Sequence, residues 1–136
     1  MRVILDTNVL VSAIVFKSKT INNTLECILC DHKLVLPSCV VDELKQVITR
    51  KFADRLKDLD EFLTALPYEY VYTPDVMKKD LFVIRDSLDY PVLYTAIIED
   101  VDILVTGDKD FFEVEVEKPE ILSPADFLAK YSRRNC

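Results

Sequence analysis

Residues 3–10 read Val-Ile-Leu-Asp-Thr-Asn-Val-Leu, a run of apolar residues that stops at an acid. A short apolar run that ends in polar residues is typical of a strand buried on both faces in a parallel sheet. The run predicts a strand from Arg2 to Leu5, with Asp6 at its C-terminal end. Ligands bind at that end in open parallel sheets. Asp6 is therefore the first candidate functional residue.

Strands and helices are predicted to alternate along the rest of the chain. Four further strands are predicted, at Lys33 to Leu36, Tyr68 to Tyr72, Asp102 to Val105 and Glu120 to Leu122. Consecutive strands are too far apart for hairpins, which favours crossover connections and a parallel sheet covered by helices on both faces. The sequence therefore predicts an α/β fold, a three-layer α/β/α sandwich around a central, mostly parallel five-stranded sheet.

The helices are predicted mainly from apolar residues three and four positions apart. They cover Val9 to Phe16, Ile21 to Cys30, Ser38 to Arg50, Phe52 to Leu66, Val92 to Ile98 and Pro124 to Tyr131, with a single turn at Asp108 to Phe112. Ser38 and Ser123 are predicted N-caps, because a serine hydroxyl can accept a hydrogen bond from a free backbone N–H. The pattern from Val76 to Ile84 is weaker and predicts at most a short helix.

The length and composition indicate one compact domain. The 136 residues can form a single substantial core, predicted at residues 1–132 and followed by a short C-terminal tail at 133–136. Half of the residues are apolar and 30% are charged, which is typical of a compact soluble protein. No stretch approaches the roughly 20 apolar residues of a membrane helix. We expect a cytoplasmic protein without a membrane partner.

The four cysteines raise the alternatives of a zinc site or a disulfide pair. Cys27 and Cys30 have the two-residue gap of a zinc ribbon. The rest of that pattern is missing, because no second close pair follows and the single histidine, His32, lies beside the first pair. We therefore expect small apolar residues on a buried helix face, in a reducing compartment.

Acidic residues follow the predicted strands or precede the helices after them: Asp6, Asp42, Glu43, Asp86, Asp89, Asp108 and Asp110. At about 100° per residue, Asp42 lies nearly opposite the buried stripe of its helix, whereas Glu43 lies on the flank of that stripe. Asp89 is in phase with the apolar residues of the next helix, whereas Asp86 precedes that helix. Glu43 and Asp89 are therefore the favoured companions of Asp6.

The last acidic pair follows the fourth predicted strand. Asp108 is close to Val105 and stays near the sheet edge, whereas Asp110 lies further into the next turn and could be an outer ligand. Asp6, Asp89 and Asp108 also precede helices and could simply be N-caps. Four carboxylates at one sheet edge would, however, repel one another unless a cation bound there. Oxygen ligands favour Mg²⁺ or Mn²⁺, so the sequence predicts a site for one or two such ions.

Four groups of residues, spread over nearly the whole chain, resemble the motifs of the PIN-domain family. They are Leu5-Asp6-Thr7-Asn8-Val9-Leu10, Pro37-Ser38 with Glu43-Leu44, Arg85-Asp86 with Asp89-Tyr90-Pro91-Val92 and Thr95-Ala96, and Val105-Thr106-Gly107-Asp108-Lys109-Asp110-Phe111. By this resemblance the metal-binding acids are the four already favoured, Asp6, Glu43, Asp89 and Asp108. Asn8 and Thr106 correspond to small polar residues near the metal.

The resemblance implies a metal-dependent ribonuclease. The Asp-Tyr-Pro-Val segment is similar to that of the toxin component (VapC-like ribonuclease) of prokaryotic toxin-antitoxin pairs, which implies an RNA substrate, a cognate antitoxin and a homodimer or higher homo-oligomer. Tyr94 stands where many relatives carry a small residue. The net charge of −7 is unfavourable for binding to phosphates, although bound divalent ions would offset part of it.

The residues suggest a division of roles in phosphodiester hydrolysis. Asp6, Asp89 and Asp108 would hold one or two ions, while Glu43 would complete the cluster or orient the attacking water. Asn8, Thr106 and Asp110 would hold carboxylates or water in place. Four basic residues are candidate contacts to the RNA backbone: Lys17, Lys19, Arg85 and Lys109.

Two other classes of function compete with this hypothesis. The first is a non-catalytic PIN-fold module that binds protein or RNA. The second is an aspartyl phosphotransferase with Asp6 as its nucleophile, in which a second acid commonly follows two residues later. That position is Asn8, which disfavours the phosphotransferase. A single glycine, Gly107, excludes a glycine-rich phosphate loop.

Overall fold

A computed structural model of the chain describes residues 1–132, and the predicted tail at 133–136 lies outside them. Within the described residues five strands form one sheet, in the order β3-β2-β1-β4-β5, and every neighbouring pair is parallel. The strands are β1 (Arg2–Leu5), β2 (Lys33–Pro37), β3 (Glu69–Val71), β4 (Ile103–Val105) and β5 (Glu120–Leu122). The predicted α/β fold is confirmed, and the sheet is wholly parallel rather than mostly so.

The two central strands are buried on both faces. Successive side chains of a strand point to opposite faces of its sheet, yet Val3, Ile4 and Leu5 of β1 are all 0% exposed. Ile103, Leu104 and Val105 of β4 are also buried. Helices must therefore cover the sheet on both sides, which gives the three layers that the sequence predicts.

Seven α-helices connect or follow the strands of the described chain. They are α1 (Thr7–Val11), α2 (Lys19–Asp31), α3 (Ser38–Lys51), α4 (Leu56–Ala65), α5 (Tyr90–Ile98), α6 (Lys109–Phe112) and α7 (Pro124–Tyr131). A π-helical stretch, Ser12–Phe16, extends α1, and 3₁₀ turns at Ala53–Arg55 and Ser87–Asp89 precede α4 and α5. The helix α2 packs against α7, while α3 contacts α1, α4 and α5. Up to residue 132, every helix is too short or too polar to span a lipid bilayer.

Two local predictions were wrong for physical reasons. Ser38 does not cap α3, because Pro37 occupies the cap position and Ser38 is the first residue of the helix; its hydroxyl accepts a hydrogen bond from the backbone N–H of Thr73 at 2.9 Å. Residues 76–84 form no helix. Val76 and Val83 are 87% and 89% exposed, so burial of these apolar residues does not stabilise a helix there.

The cysteine pair lies within α2. Cys27 is buried, as expected for a small apolar residue on an inner helix face. Cys30 is exposed and disulfide-bonded, so the expectation of a buried, reduced cysteine is wrong for this member of the pair. None of the potential metal-ligand groups in residues 1–132 includes a cysteine, which leaves the zinc-ribbon alternative without support.

The chain order reverses between the two central strands. The connections from β1 lead to β2 and β3 on one side, whereas β4 and β5 lie on the other. The crevice outside the C-terminal ends of β1 and β4 is therefore the topological switch point, where open parallel sheets bind ligands. Asp6 lies at this point, and its backbone N–H donates to the carbonyl of Val105 at 3.0 Å.

Candidate metal centre

Asp6 is a buried carboxylate held by two hydrogen bonds. The residue is 5% exposed. Its Oδ1 accepts from the backbone N–H of Thr7 at 2.7 Å, and its Oδ2 accepts from the hydroxyl of Thr106 at 2.9 Å. Burial raises the pKa of Asp6 and repulsion by Asp108 adds to the rise, while the two hydrogen bonds oppose it. Asp6 is thus fixed in position at the end of β1.

Thr106 links the ends of the two central strands. It is 0% exposed, donates its hydroxyl proton to Asp6 and accepts from the backbone N–H of Asp108 at 3.0 Å. One side chain therefore sets the position of one predicted ligand and of the backbone that carries another. The role predicted for Thr106, that of holding a carboxylate in place beside a metal, stays a prediction, and its contact is with Asp6.

Three carboxylates form the closest acidic cluster in the described chain. Oxygen atoms of Asp89, Asp108 and Asp110 all lie within 4.8 Å of one another. Asp108 precedes α6, and its Oδ1 accepts from the backbone N–H of Asp110 at 2.9 Å. The short turn brings the Asp110 carboxylate into this cluster. Asp110 is therefore close enough to bind an ion directly, whereas the sequence suggests only an outer ligand.

Asp89 carries an unusual oxygen. Its Oδ2 is buried and has no hydrogen-bond partner within residues 1–132. Burial raises the pKa of Asp89 to about 7, and repulsion by Asp108, Asp6 and Asp86 contributes. A buried carboxylate oxygen without a hydrogen-bond partner is costly. A divalent cation among these oxygens would satisfy the unpaired atom and neutralise the repulsion, so the residues present fit Mg²⁺ or Mn²⁺.

Glu43 approaches the centre from α3 and is the most exposed of the four predicted acids. Partial burial raises the pKa of Glu43, repulsion by Asp6 and Asp86 adds to the rise, and the nearby Thr7 hydroxyl opposes it. The Thr7 hydroxyl is buried and forms no hydrogen bond of normal geometry with another described residue. Sequence reasoning gave Thr7 no role of its own, although its position directly after Asp6 was the available signal.

Within residues 1–132, the side chains of Asp86 and Asn8 make no hydrogen bond to the acids of the centre. Asp86 accepts from the backbone N–H of Leu88 at 2.9 Å and caps the 3₁₀ turn before α5. Asn8 is exposed on α1, and its side chain makes none of the hydrogen bonds found up to residue 132. The structure therefore shows no contact that supports the role predicted for Asn8.

Of the four predicted RNA-binding residues, two lie at the acidic cluster. Arg85 is largely exposed, and its Nη1 is 3.9 Å from Oδ1 of Asp110. Arg85 and Lys109 line an open cleft of about 670 Å³ that also contains Asp108 and Asp110. Lys17 and Lys19 lie at the junction between the π-helical stretch and α2, and the ion pairs of the described chain include neither.

Comparison with known proteins identifies the family of this chain. A family model described as "PIN domain" matches residues 2–110. No curated protein matches the chain. Among solved structures, it is similar to a chain in the crystal structure of VapBC2 from Rickettsia felis bound to a DNA fragment from their promoter. The TM-score is 0.71 and the identity 24%, over 90% of this chain and 98% of the other, a likeness that shows the fold alone.

Proposed function

We propose, since this chain belongs to the PIN-domain family and gathers five carboxylates at one sheet edge, that it is a metal-dependent endoribonuclease. Its reaction would be the hydrolysis of RNA phosphodiester bonds. The observation that carries the proposal is the buried, unpartnered Oδ2 of Asp89 beside Asp108 and Asp110. An oxygen-only ligand set without histidine or cysteine favours Mg²⁺ or Mn²⁺ over zinc or copper.

Asp89, Asp108 and Asp110 are the residues that would hold the first ion, with Asp6 and Glu43 available for a second. When bound, Mg²⁺ or Mn²⁺ supplies a Lewis acid that lowers the pKa of water and offsets charge on the phosphate. A cluster of this kind needs no side-chain nucleophile. The absence of a second acid at Asn8 also disfavours the phosphotransferase alternative.

The chain's own residues would orient the reaction. The hydrogen bonds from Thr7 and Thr106 hold both oxygens of Asp6 in fixed directions. Glu43 is exposed at the mouth of the centre and has a raised pKa, so its carboxylate can accept a proton from the attacking water. Arg85 and Lys109 would bind phosphate oxygens of the RNA in the open cleft.

The similarity to VapBC2 extends the proposal to a toxin of a toxin-antitoxin pair, with a cognate antitoxin and a homodimer as partners. An apolar surface on the irregular segment before α5 supports a protein partner. Val76, Val83 and Leu88 are 87%, 89% and 74% exposed there, beside a cavity of about 630 Å³ over Phe82 and Tyr90. Exposed apolar patches of this kind mark protein interaction sites.

The proposal is tested by RNA cleavage. Wild type, Asp89→Asn and the matched control Asp42→Asn would be incubated with structured and single-stranded RNA, in Mn²⁺ or EDTA. Asp42 is exposed on α3, one residue before Glu43, and belongs to no acidic cluster of the described chain. We expect Mn²⁺-dependent cleavage by wild type and Asp42→Asn only.

Two outcomes would contradict the proposal. Cleavage that persists unchanged in Asp89→Asn would place the reaction elsewhere. The absence of cleavage across a broad RNA pool, with intact folding and Mn²⁺ binding, would favour the non-catalytic binding module.

A further inference from the structure

A pair of threonine hydroxyls joins α5 to the segment that follows β3. Thr95 is 0% exposed in α5, the helix that begins next to Asp89, and Thr73 follows β3. Their Oγ1 atoms are 3.0 Å apart, in hydrogen-bond contact across 22 positions of the sequence. A buried hydroxyl pair that joins distant elements restrains them more specifically than an apolar contact, because its geometry is directional.

Thr73 also holds the start of α3, the helix that carries Glu43. Its Oγ1 accepts from the backbone N–H of Cys39 at 3.3 Å, and its own backbone N–H donates to the hydroxyl of Ser38 at 2.9 Å. The first backbone N–H groups of a helix have no partner within the helix. Thr73 therefore satisfies one of these groups and fixes the end of α3 from outside.

The hydrogen bonds of the two threonines can form one continuous series. Thr95 Oγ1 lies 2.7 Å from the carbonyl of Pro91, one turn earlier in α5. A hydroxyl has one proton, so when Thr95 donates to Pro91 the contact between the two hydroxyls is made by the proton of Thr73. The series then runs from the Cys39 N–H through both threonines to the Pro91 carbonyl, with every group satisfied.

We infer that Thr73 and Thr95 are positioning residues that fix α3 against α5 and thereby set the separation of Glu43 from Asp89. The inference rests on the proposed function, because it assigns the pair to that metal centre. Neither threonine is placed among the acids themselves. Their effect on a bound ion would be transmitted through the two helices.

The proximity of the Cys39 thiol supports this arrangement. Burial raises the pKa of Cys39, the hydroxyls of Thr73 and Thr95 oppose the rise, and repulsion by Glu43 adds to it. The Cys39 thiol is thus close enough to both hydroxyls and to the Glu43 carboxylate for its pKa to respond to them. The threonine pair and Glu43 therefore belong to one connected region of the molecule.

The test compares Thr95→Val and Thr73→Val with Thr95→Ser and a matched control, Thr24→Val. Thr24 is also 0% exposed and donates to the carbonyl four residues earlier, that of Thr20, at 2.8 Å, but it lies in α2. Valine replaces the hydroxyl by a methyl group of similar size, so the control measures the cost of a lost buried hydroxyl. Thr95→Ser keeps the hydroxyl and is expected to behave as wild type.

Three quantities would be measured: the free energy of unfolding, the affinity for Mn²⁺ by calorimetric titration, and amide hydrogen exchange in a peptide covering residues 37–44. We expect Thr95→Val and Thr24→Val to lose similar stability. Only Thr95→Val and Thr73→Val are expected to weaken Mn²⁺ binding, by about tenfold, the lower end for residues that orient metal ligands. The same two variants should exchange faster at the start of α3.

The outcomes separate this inference from the proposed function. Mn²⁺ affinity within twofold of wild type in folded Thr95→Val and Thr73→Val would overturn the positioning role. If wild type binds no Mn²⁺, the proposed function fails, and the hold on α3 is judged from hydrogen exchange alone. Exchange in residues 37–44 that is equal in Thr95→Val, Thr73→Val and Thr24→Val would then overturn it.

Discussion

Replacing Asp89 by asparagine should stabilise the protein without metal and abolish its stabilisation by metal. The side chain has a buried oxygen with no partner in residues 1–132, and neighbouring carboxylates repel its charge. Asparagine keeps the size of aspartate and removes the charge. Asp89 lies at the cap position of α5, but its side chain makes no capping hydrogen bond there that the substitution would break.

The magnitude follows from the raised pKa. A rise in the pKa of Asp89 from its ordinary value of 3.8 to about 7 corresponds to a destabilisation of the folded protein by roughly 4 kcal/mol at high pH. The side chain is partly exposed, so solvent screening reduces this figure. The loss of a negative charge at a helix N-terminus subtracts about 0.5 kcal/mol. We therefore expect Asp89→Asn to gain about 1–2 kcal/mol without metal, or roughly 3–7 °C in melting temperature.

The gain should depend on pH in a defined direction. Because the folded-state pKa of Asp89 is raised, the folded protein binds more protons than the unfolded chain between pH 3.8 and about 7. The contribution of this group to stability falls as pH rises through that interval. The advantage of Asp89→Asn should accordingly be near zero at pH 4, grow up to pH 7 and stay constant above it.

Thermal unfolding followed by circular dichroism would measure both effects, with Asp60→Asn as the control. Asp60 is exposed on α4 and takes part in no ion pair of the described chain. In EDTA at pH 8, Asp89→Asn should melt above wild type, and Asp60→Asn should match wild type. Mn²⁺ at 100 times its dissociation constant should stabilise wild type by about 2.7 kcal/mol and reverse the order.

Either of two results would refute this reasoning. If Asp89→Asn melts below wild type at pH 8 in EDTA while Asp60→Asn does not, the Asp89 carboxylate is satisfied in the folded protein and is not repelled. If Mn²⁺ raises the melting temperature of Asp89→Asn as much as that of wild type, Asp89 does not bind the ion.

Three further predictions concern other parts of the molecule. Thr106→Val removes the donor to the buried carboxylate of Asp6, and we expect the free energy of unfolding in urea to fall by about 1–3 kcal/mol and Mn²⁺ binding to weaken; unchanged unfolding would show that water replaces the hydroxyl. The hydrogen bond from Arg2 lowers the pKa of Glu69, so its contribution to stability is present above pH 4.5 and lost as pH falls; Glu69→Gln should melt below wild type at pH 7, and the difference should shrink as pH falls below 4.5. Val83→Asp should shift the protein to a smaller species in sedimentation velocity, whereas Ile98→Asp, at an exposed position of α5, should not; equal behaviour of the two variants would contradict an interface at the apolar surface.

The fold was predictable because its strongest signals are local. The apolar runs of β1 and β4 have no polar residue on either face, which only a strand covered on both sides tolerates. The positions of Asp6, Asp89 and Asp108 follow from where a strand ends or from the phase of the next helix. Each of these signals needs fewer than ten consecutive residues, and the structure brings the three acids together.

The features that could not be predicted depend on contacts between distant residues. Ser38 has the local signal of a helix cap, but it lies inside α3, where its hydroxyl accepts a hydrogen bond from Thr73, 35 positions away. The contact between Thr73 and Thr95 likewise joins elements without any shared local pattern. Asp110 follows from a four-residue helix, which is too short for its periodicity to indicate which way a side chain points.

Capping and metal binding are not alternatives for the acids of this centre, because they use different acceptor positions of one carboxylate. A carboxylate has about four such positions, and Asp6 uses two, one for the Thr7 N–H and one for the Thr106 hydroxyl. Asp108 uses one for the backbone N–H of Asp110. These bonds fix the direction of the remaining positions, whereas Asp89 leaves a whole buried oxygen unsatisfied. The capped acids therefore preorganise the centre, and Asp89 is where a cation gains the most.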